Sequence, residues 1–298
     1  MTVSLTIIMF LFGTAIGSFL NVATLRYKED GRIFSFERLS GRSRCPKCRV
    51  GLSWYELVPL VSFVFQRGKC RNCEESLSFQ YPLVEAATGL IFAFLPRALG
   101  RAVEIQFYQS AEGGLPWWYY FLVIIFFAAA LTLITLSAID ARLRIIPDQS
   151  SVLIAALGAA LIVLYDYSGL FRDARNSFIG HYALLFDIRQ NIFFNYALAA
   201  LFGLALFGAI FILSRGRGMG LGDVKFAGAL GLLLGWPDAA IGFGLAFIVG
   251  AFWSIMLMLH GKKTLRSAVP FGPFMAVGAL IVIFFGRALM DWYFTLFA

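Results

Sequence analysis

The chain has 298 residues, of which 60% are hydrophobic and 14% are charged, with a mean hydropathy of +0.79. This composition excludes a soluble globular protein and predicts a polytopic membrane protein. The net charge of +8 is informative mainly through the positions of the basic residues along the chain.

Eight apolar stretches predict an all-α membrane protein with about eight transmembrane helices. The predicted spans are 4–24, 83–97, 117–138, 151–165, 193–213, 224–235, 239–259 and 271–295. Two of them, 83–97 and 224–235, fall short of the roughly 20 residues that a bilayer requires, so they must tilt, extend or be shielded by neighbours. The span 4–24, which comes first in the chain, has no basic region before it and no clear cleavage site after it. This favours a retained span over a signal peptide.

The basic residues predict the orientation of these spans. With the amino terminus placed outside, nineteen Lys and Arg fall in the segments on the cytoplasmic side, and six fall outside or in the last span. This asymmetry is the one that the positive-inside rule requires. The predicted domains are a first transmembrane helix (1–25), a small cytoplasmic zinc-knuckle domain (26–82) and a membrane domain (83–298).

All four cysteines fall in the cytoplasmic segment, as two C-x-x-C pairs: Cys45 with Cys48, and Cys70 with Cys73. Two such pairs at this spacing can place four thiolates tetrahedrally around Zn²⁺. Basic neighbours would offset the negative charge of that centre and favour the thiolates. Two disulfides or a redox C-x-x-C are the alternatives, and a reducing compartment disfavours the first. A closed set of four ligands predicts structural zinc rather than catalytic zinc.

Two acids are predicted to reach the same face of the membrane. Asp140 follows the third span and Asp223 precedes the sixth, so both lie at the cytoplasmic boundary at a similar depth. Two carboxyl groups held close together share a proton, so one can activate water while the other polarises a peptide carbonyl.

Each acid also has a structural alternative. Asp223 could cap the helix that begins at Val224, where an acid is favourable. Asp140 could pair with Arg142 or Arg144 in an ordinary loop. Asp148 is a rival for the role of first acid, although it follows a proline and suggests a turn.

Several motifs occur in order along nearly the whole chain. Gly220-Leu221-Gly222-Asp223 matches the GxGD motif of membrane aspartic proteases. The other matches are 17–22 (GSFLNV), the Cys quartet, 54–60 (WYELVPL), 81–85 (YPLVE), Asp140 with Pro147-Asp148, and 270–274 (PFGPF). Together they make the chain resemble the bacterial type IV prepilin peptidases.

This resemblance implies an inner-membrane enzyme with Asp140 and Asp223 as the catalytic pair. Gly220 and Gly222 would let the loop bring Asp223 toward its partner. Such enzymes cleave the short basic leader of type IV prepilins or pseudopilins at the cytoplasmic face, and then N-methylate the new amino terminus. The expected partners are these substrates and the lipid bilayer, without nucleic acid, and the oligomeric state is left open.

The resemblance also implies S-adenosylmethionine as methyl donor beside structural Zn²⁺. No G-x-G-x-x-G motif follows a strand, so methylation rests on the resemblance alone. The implied methyltransferase residues are Gly17, Asn21, Arg26, Glu56, Tyr81 and Glu85. Two alternatives stay open: a peptidase without methyltransferase activity, and a non-enzymatic membrane transporter or assembly scaffold that carries a zinc knuckle.

Overall fold

The computed structural model describes residues 2–28, 41–45, 47–105, 114–171, 176–186, 191–260 and 269–296. Within these ranges the chain forms nine α-helices and two short 3-10 helices, Trp54–Leu57 and Gly180–Phe186. β-Pairing in the same ranges is limited to two isolated bridges, Arg44 with Gly51 and Lys69 with Ser76. The predicted all-α fold is confirmed.

Seven of the nine helices are long and apolar enough to cross a membrane, all except α2 and α7. In chain order the helices are α1 (Val3–Arg26), α2 (Val61–Phe65), α3 (Gln80–Ala102), α4 (Trp117–Leu143), α5 (Asp148–Ser168), α6 (Ile192–Leu213), α7 (Leu221–Leu234), α8 (Asp238–Leu259) and α9 (Gly272–Thr295). The short predicted span 83–97 is in fact the 23-residue helix α3, which extends into both flanks.

The predicted span 224–235 is the one that differs. Helix α7 has 14 residues, about 21 Å, and is too short to cross a hydrocarbon core of roughly 30 Å as a helix alone. It nevertheless runs antiparallel to α6 along most of its length. A Cβ on Gly208 would lie 3.9 Å from Val224, and one on Gly235 would lie 2.9 Å from Tyr196. Helix α7 therefore lies alongside α6 between the levels of Gly208 and Tyr196 and is not itself a candidate membrane span.

Polar caps mark several helix ends. Thr2 Oγ1 accepts a hydrogen bond from the backbone N–H of Leu5 at the start of α1. Asn191 Oδ1 accepts from the N–H groups of Phe193 and Phe194 at the start of α6. Helix α4 ends at Leu143, and the left-handed backbone of Arg144 (φ 58°) stops the helix there after a long apolar run. Such caps satisfy backbone groups that a helix leaves unpaired.

The chain divides into two compact units, Met1–Leu95 and Pro96–Ala298, and the division falls inside α3. The predicted boundaries after residues 25 and 82 both lie within the first unit, and as a functional division they stay a prediction. In this unit α1 packs closely on α3. A Cβ on Gly17 would lie 2.8 Å from the Cα of Glu85, and one on Gly13 would lie 2.8 Å from the carbonyl oxygen of Thr88. Small residues at such crossings let the backbones of membrane helices approach.

The second unit is centred on α7, whose buried residues pack between α5 and α6. A Cβ on Gly231 would lie 2.4 Å from the carbonyl oxygen of Ala199, and one on Gly158 would lie 2.4 Å from that of Leu232. Only hydrogen fits at these positions. Helices α8 and α9 pair in the same way, since Gly278 would place a Cβ 2.3 Å from the carbonyl oxygen of Gly242. Close packing thus fixes α7 against α5 and α6 near its carboxyl end.

Candidate functional site

Asp140 lies in the last turn of α4, and its side chain is buried. Its Oδ2 atom accepts a hydrogen bond of 3.0 Å from the backbone N–H of Gly272, at the start of α9. A Cβ on Gly272 would lie 2.7 Å from that oxygen, so a larger residue there would displace the carboxyl group. The partner of Asp140 is therefore a backbone donor 132 residues away in sequence.

Asp223 lies in the first turn of α7 and is half-buried. Its Oδ2 atom accepts a hydrogen bond of 3.0 Å from the N–H of Gly220, the residue that caps the helix. The helix begins at Leu221 and not at Val224, so Asp223 does not precede it as the capping alternative required but bonds back to the cap from within the first turn. This bond occupies one carboxylate oxygen and leaves the acid at the amino-terminal end of α7, where a negative charge is favourable.

The two acids lie near each other at one end of the second unit. Their carboxyl groups are close enough to interact electrostatically. The side chain of Ile146 packs against both Gly222, next to Asp223, and Gly272, the hydrogen-bond partner of Asp140. A Cβ on Gly222 would lie 3.2 Å from Ile146 Cβ, and one on Gly272 would lie 3.3 Å from Ile146 Cδ1. The end of α4, the start of α7 and the start of α9 therefore converge on the pair.

The two loop glycines differ in what surrounds them. Gly220 has φ −87°, which any residue adopts, and a Cβ there would make an ordinary contact of 3.4 Å with Asp223. Gly222 is the tighter position because of its approach to Ile146. The structure thus explains Gly222 by close packing rather than by unusual backbone angles.

Asp148, the rival first acid, has a different position. It begins α5 and pairs with Lys225, with Nζ 2.9 Å from Oδ1 and 3.1 Å from Oδ2. Both side chains are exposed, so the pair adds little stability. It does link the starts of α5 and α7 next to Asp223.

Sequence reasoning missed two residues of this site, Gly272 and Ile146. Gly272 belongs to the 270–274 motif, so its presence in a motif was a usable signal. Ile146 is an apolar residue in a loop, and no sequence pattern distinguishes it. Both act through contacts between segments that are distant along the chain.

The four cysteines come together in the first unit as free thiols, with all Sγ atoms within 4.8 Å of one another. The Sγ atoms of Cys45 and Cys73 are 3.8 Å apart, and those of Cys48 and Cys70 are 4.0 Å apart. A tetrahedral zinc with Zn–S bonds of about 2.3 Å separates its sulfurs by about 3.8 Å. The arrangement can bind a metal ion and is consistent with zinc.

The two halves of this cluster have the same backbone. The N–H of Cys45 bonds to the carbonyl of Val50 (3.0 Å), as the N–H of Cys70 bonds to that of Glu75 (2.9 Å). The positive φ of Arg49 (60°) recurs at Glu74 (55°), and an isolated bridge flanks each half. The described residues of 44–51, which leave out position 46, and residues 69–76 therefore form two copies of one knuckle. They share little beyond their cysteine spacing.

The thiols differ in acidity. Hydrogen bonds from the Val50 backbone and the Asn72 side chain lower the pKa of Cys48 to about 6. Backbone N–H groups of Cys73 and Asn72 lower the pKa of Cys70 as well. The Glu75 backbone would lower the pKa of Cys73, but burial and the three neighbouring thiols raise it to about 11. The sulfurs of Cys48 and Cys70 are thus the readier metal ligands.

The implied methyltransferase residues separate into two groups. Gly17, Asn21, Tyr81 and Glu85 lie together where α1 crosses α3: Asn21 Nδ2 donates to the carbonyl of Tyr81 (3.1 Å), and Gly17 packs against Glu85. Asn21 Oδ1 is buried and has no hydrogen-bond partner in the described part of the chain.

The other two candidates lie outside that crossing. Arg26 is the last residue of α1, and its Nη2 is 3.4 Å from the carbonyl oxygen of Arg42. Its positive charge also interacts electrostatically with Tyr81. Glu56 accepts a hydrogen bond of 2.8 Å from the N–H of Ser53, which caps its own 3-10 helix. The contacts of Glu56 are thus local.

Taken together, these features describe a helical protein with seven candidate membrane spans among the described residues, two acids at one end of the second unit and a cluster of four thiols in the first. Residues 11–98 match the bacterial peptidase A24 N-terminal domain, and residues 125–255 match the type IV leader peptidase family. The two matches cover well over half of the chain, which therefore belongs to the type IV leader peptidase family. The family and the candidate spans make it a multi-pass protein of the bacterial inner membrane.

Curated relatives extend over almost the entire chain. A prepilin leader peptidase/N-methyltransferase of Aeromonas hydrophila is 29% identical over 97% of this chain and 94% of its own length. One from Bacillus subtilis (strain 168) is 27% identical over 96% of each, and one from Legionella pneumophila is 28% identical over 95% of this chain and 92% of its own. No solved structure is significantly similar to the chain.

Proposed function

We propose that the protein is an aspartic endopeptidase in which Asp140 and Asp223 form the catalytic pair. The observation that carries this is the convergence of the two acids through Ile146 and Gly272, from segments far apart in sequence. One carboxylate takes a proton from the attacking water, while the other, protonated, donates to the carbonyl oxygen of the peptide. The proton then passes to the leaving nitrogen.

The substrates are prepilins or pseudopilins, as the names of the relatives indicate for those proteins. Cleavage removes a short basic leader ahead of an apolar helix. The excess of Lys and Arg in one set of loops supports a cytoplasmic site, because it orients the end of α4 and the start of α7 toward the cytoplasm. A substrate helix that lies in the same bilayer would present its leader at that level.

The protein also N-methylates the new amino terminus, at the crossing of α1 and α3. S-Adenosylmethionine would supply the methyl group. Asn21 Oδ1, a buried acceptor without a partner in the described chain, fits a ligand that carries donors or positive charge, as does the neighbouring carboxylate of Glu85. Asn21, Tyr81 and Glu85 would hold the methyl donor. Gly17, which has no side chain, lets α1 and α3 pack closely at this crossing.

The metal of the cysteine cluster is Zn²⁺ in a structural role. Four thiolates close its coordination, and the matched knuckles 44–51 and 69–76 hold them in a tetrahedron. Zinc therefore stabilises the first unit rather than taking part in cleavage. Replacement of Cys45 and Cys48 by serine should remove about one equivalent of bound zinc.

The peptidase is tested by the variants Asp140→Asn and Asp223→Asn, purified in detergent and incubated with a prepilin. Each should slow cleavage by about 10²–10⁴-fold, because each removes one proton-transfer group. Asp166→Asn, an exposed acid in the last turn of α5, is the matched control. Leader processing that survives both substitutions would favour the transporter or scaffold alternative.

Methylation is tested in the same assay with labelled S-adenosylmethionine. The parent protein should cleave the prepilin and transfer label to the product. Glu85→Gln should abolish transfer and keep cleavage, and the same pair of readouts on Arg26→Gln and Glu56→Gln decides whether these two residues take part in transfer. Cleavage without any transfer by the parent protein would establish the peptidase-only alternative.

A further inference from the structure

The segment between the 3-10 helix Trp54–Leu57 and the second cysteine pair is bound to a membrane helix. The backbone N–H of Leu60 donates a hydrogen bond of 2.8 Å to Glu85 Oε2. Leu60 has φ 60° and ψ −49°, and the N–H of Val61 reaches the carbonyl of Pro59 at 2.6 Å, so Leu60 is the centre of a γ-turn. A non-glycine residue in such a turn is strained and has to be held there. The buried carboxylate of Glu85 holds it.

This hydrogen bond determines the depth of the turn. Glu85 is the sixth residue of α3, about 7.5 Å along the helix axis from its start at Gln80. Ser18, which also hydrogen-bonds to Glu85, lies eight residues before the end of α1, or about 12 Å. Both helices are membrane spans by length and composition. Leu60 therefore lies at the level of the first turns of α3 and the last turns of α1, and not beyond the ends of these helices.

The side chains that follow this turn are apolar and uncovered. Val64 is 73% exposed and Phe65 is 83% exposed, while Phe63 packs edge-to-face on Phe79 just before α3 begins. On α3 itself, Leu83 is 63% exposed. The turn and the start of α3, which meet through Phe63 and Phe79, therefore both carry exposed apolar side chains. Water-exposed apolar clusters of this kind are uncommon in soluble proteins.

Basic residues follow the apolar turn immediately. Arg67, Lys69 and Arg71 are all exposed, and the guanidinium of Arg71 lies 5.4 Å from the centre of the Tyr55 ring. Apolar side chains followed by Lys and Arg are the arrangement of segments that lie in the membrane interface, where the cations meet anionic headgroups. Trp54, 79% exposed, is a residue type enriched at that level.

We propose that residues 57–66 form an interfacial insertion, with Val61, Val64 and Phe65 embedded in the anionic leaflet at which α1 ends. The Leu60–Glu85 hydrogen bond anchors the insertion to α3, and Arg67 and Lys69 bind lipid phosphates at its edge. The zinc knuckles are thereby held against the bilayer rather than on a free cytoplasmic tether. The membrane contact of Val61, Val64 and Phe65 does not depend on the proposed peptidase activity, whereas its anchor, Glu85, is shared with the proposed methyltransferase site.

The test measures depth by electron paramagnetic resonance. p-Acetylphenylalanine replaces Phe65 and carries a nitroxide through its ketone, which leaves the four cysteines unmodified. The full-length protein is reconstituted in nanodiscs of phosphatidylethanolamine and phosphatidylglycerol, and power saturation is compared with oxygen and with a water-soluble nickel chelate. Leu90, exposed in the middle of α3, is the lipid reference, and Asn72, exposed in the second knuckle, is the water reference.

At position 65 oxygen should relax the label more than the nickel chelate does, as at position 90 and opposite to position 72. Removal of phosphatidylglycerol should shift position 65 toward the water reference. Stronger relaxation by nickel than by oxygen at position 65 would overturn the proposal, since the segment would then lie in water. Weak relaxation by both agents would overturn it too, because protein and not lipid would cover the residue.

Discussion

The backbone N–H of Gly272 donates to Asp140 Oδ2 at 3.0 Å, and this bond joins the start of α9 to the end of α4. A carboxyl group buried near a second acid needs a defined orientation, and a backbone donor supplies it without adding a side chain to the site. Because the N–H belongs to the first turn of α9, the helix packing of the second unit determines where Asp140 points.

Replacement of Gly272 by alanine should reduce kcat for prepilin cleavage by about 10²-fold, with little change in KM. The added Cβ would lie 2.7 Å from Asp140 Oδ2 and force the carboxyl group to move. A displacement of about 1 Å in a catalytic group has an effect of this size. Steady-state kinetics on a synthetic prepilin peptide measure it.

Gly244→Ala is the control for this substitution. Gly244 lies inside α8, is exposed, and would place a Cβ in open space. The control should keep parental kinetics and a parental Tm. A Gly272→Ala enzyme as fast as the control would show that the hydrogen bond is dispensable.

The loop glycines should differ in their sensitivity to substitution. Gly222→Ala should slow cleavage by about tenfold, because its Cβ would press on Ile146 at 3.2 Å and shift the segment that holds Asp223. Gly220→Ala should cost less, since φ −87° suits alanine and the new contact is ordinary. Measurements of kcat for the two variants show which substitution slows cleavage more. A larger loss of kcat for Gly220→Ala would contradict this prediction and indicate that flexibility of the loop, rather than close packing, matters there.

Metal affinity should depend on pH in two regimes. The pKa of Cys73 in the metal-free protein is about 11, so its thiol must lose a proton on binding zinc at any pH near neutrality. The pKa of Cys48 is about 6, so its thiol is already ionised above that pH and protonated below it. Zinc affinity should therefore fall at least about tenfold per pH unit from pH 8 to 6, and more steeply below.

Chelator competition between pH 5.5 and 8 checks this behaviour. The Cys73→Ser variant should bind zinc more weakly and with a shallower pH dependence above pH 6, because the proton that Cys73 releases is absent. An affinity that does not change between pH 8 and 6 would mean that no thiol proton is displaced.

Asp238 should contribute to the free energy of unfolding and not to the rate of cleavage. It is buried at the start of α8 and accepts hydrogen bonds from Ser177 Oγ (2.8 Å), Phe178 N–H (3.0 Å) and Ile179 N–H (3.2 Å). Asp238→Ala should destabilise the protein by about 3 kcal/mol, since it leaves buried donors without this acceptor. Thermal unfolding in detergent measures the loss.

The cleavage assay separates the two roles. Asp238 follows the carboxyl end of α7, and Asp223 lies about 16 Å along the helix axis from that end, in the first turn. At temperatures where Asp238→Ala remains folded, its kcat should stay within about twofold of the parent. An unchanged Tm, or a selective loss of kcat, would contradict this assignment.

Local patterns in the sequence predict much of this protein. Hydropathy gives the helices, because lipid requires every backbone group to be bonded within the helix, and an apolar run of sufficient length has few alternatives. The two C-x-x-C pairs predict the metal cluster, since each pair places two thiols on one turn. The motif around Gly222 and the acid at the end of α4 predict Asp223 and Asp140 as site residues.

What the sequence does not contain is the set of contacts between these local elements. The N–H of Gly272, the side chain of Ile146 and the bond between Leu60 and Glu85 matter only because helices far apart in the chain pack side by side. Hydropathy also predicted an eighth span where α7 is a short helix, because it records that residues are apolar but not whether lipid or protein covers them. Backbone approach through glycine decides those contacts, and only the tertiary structure specifies which backbone approaches which.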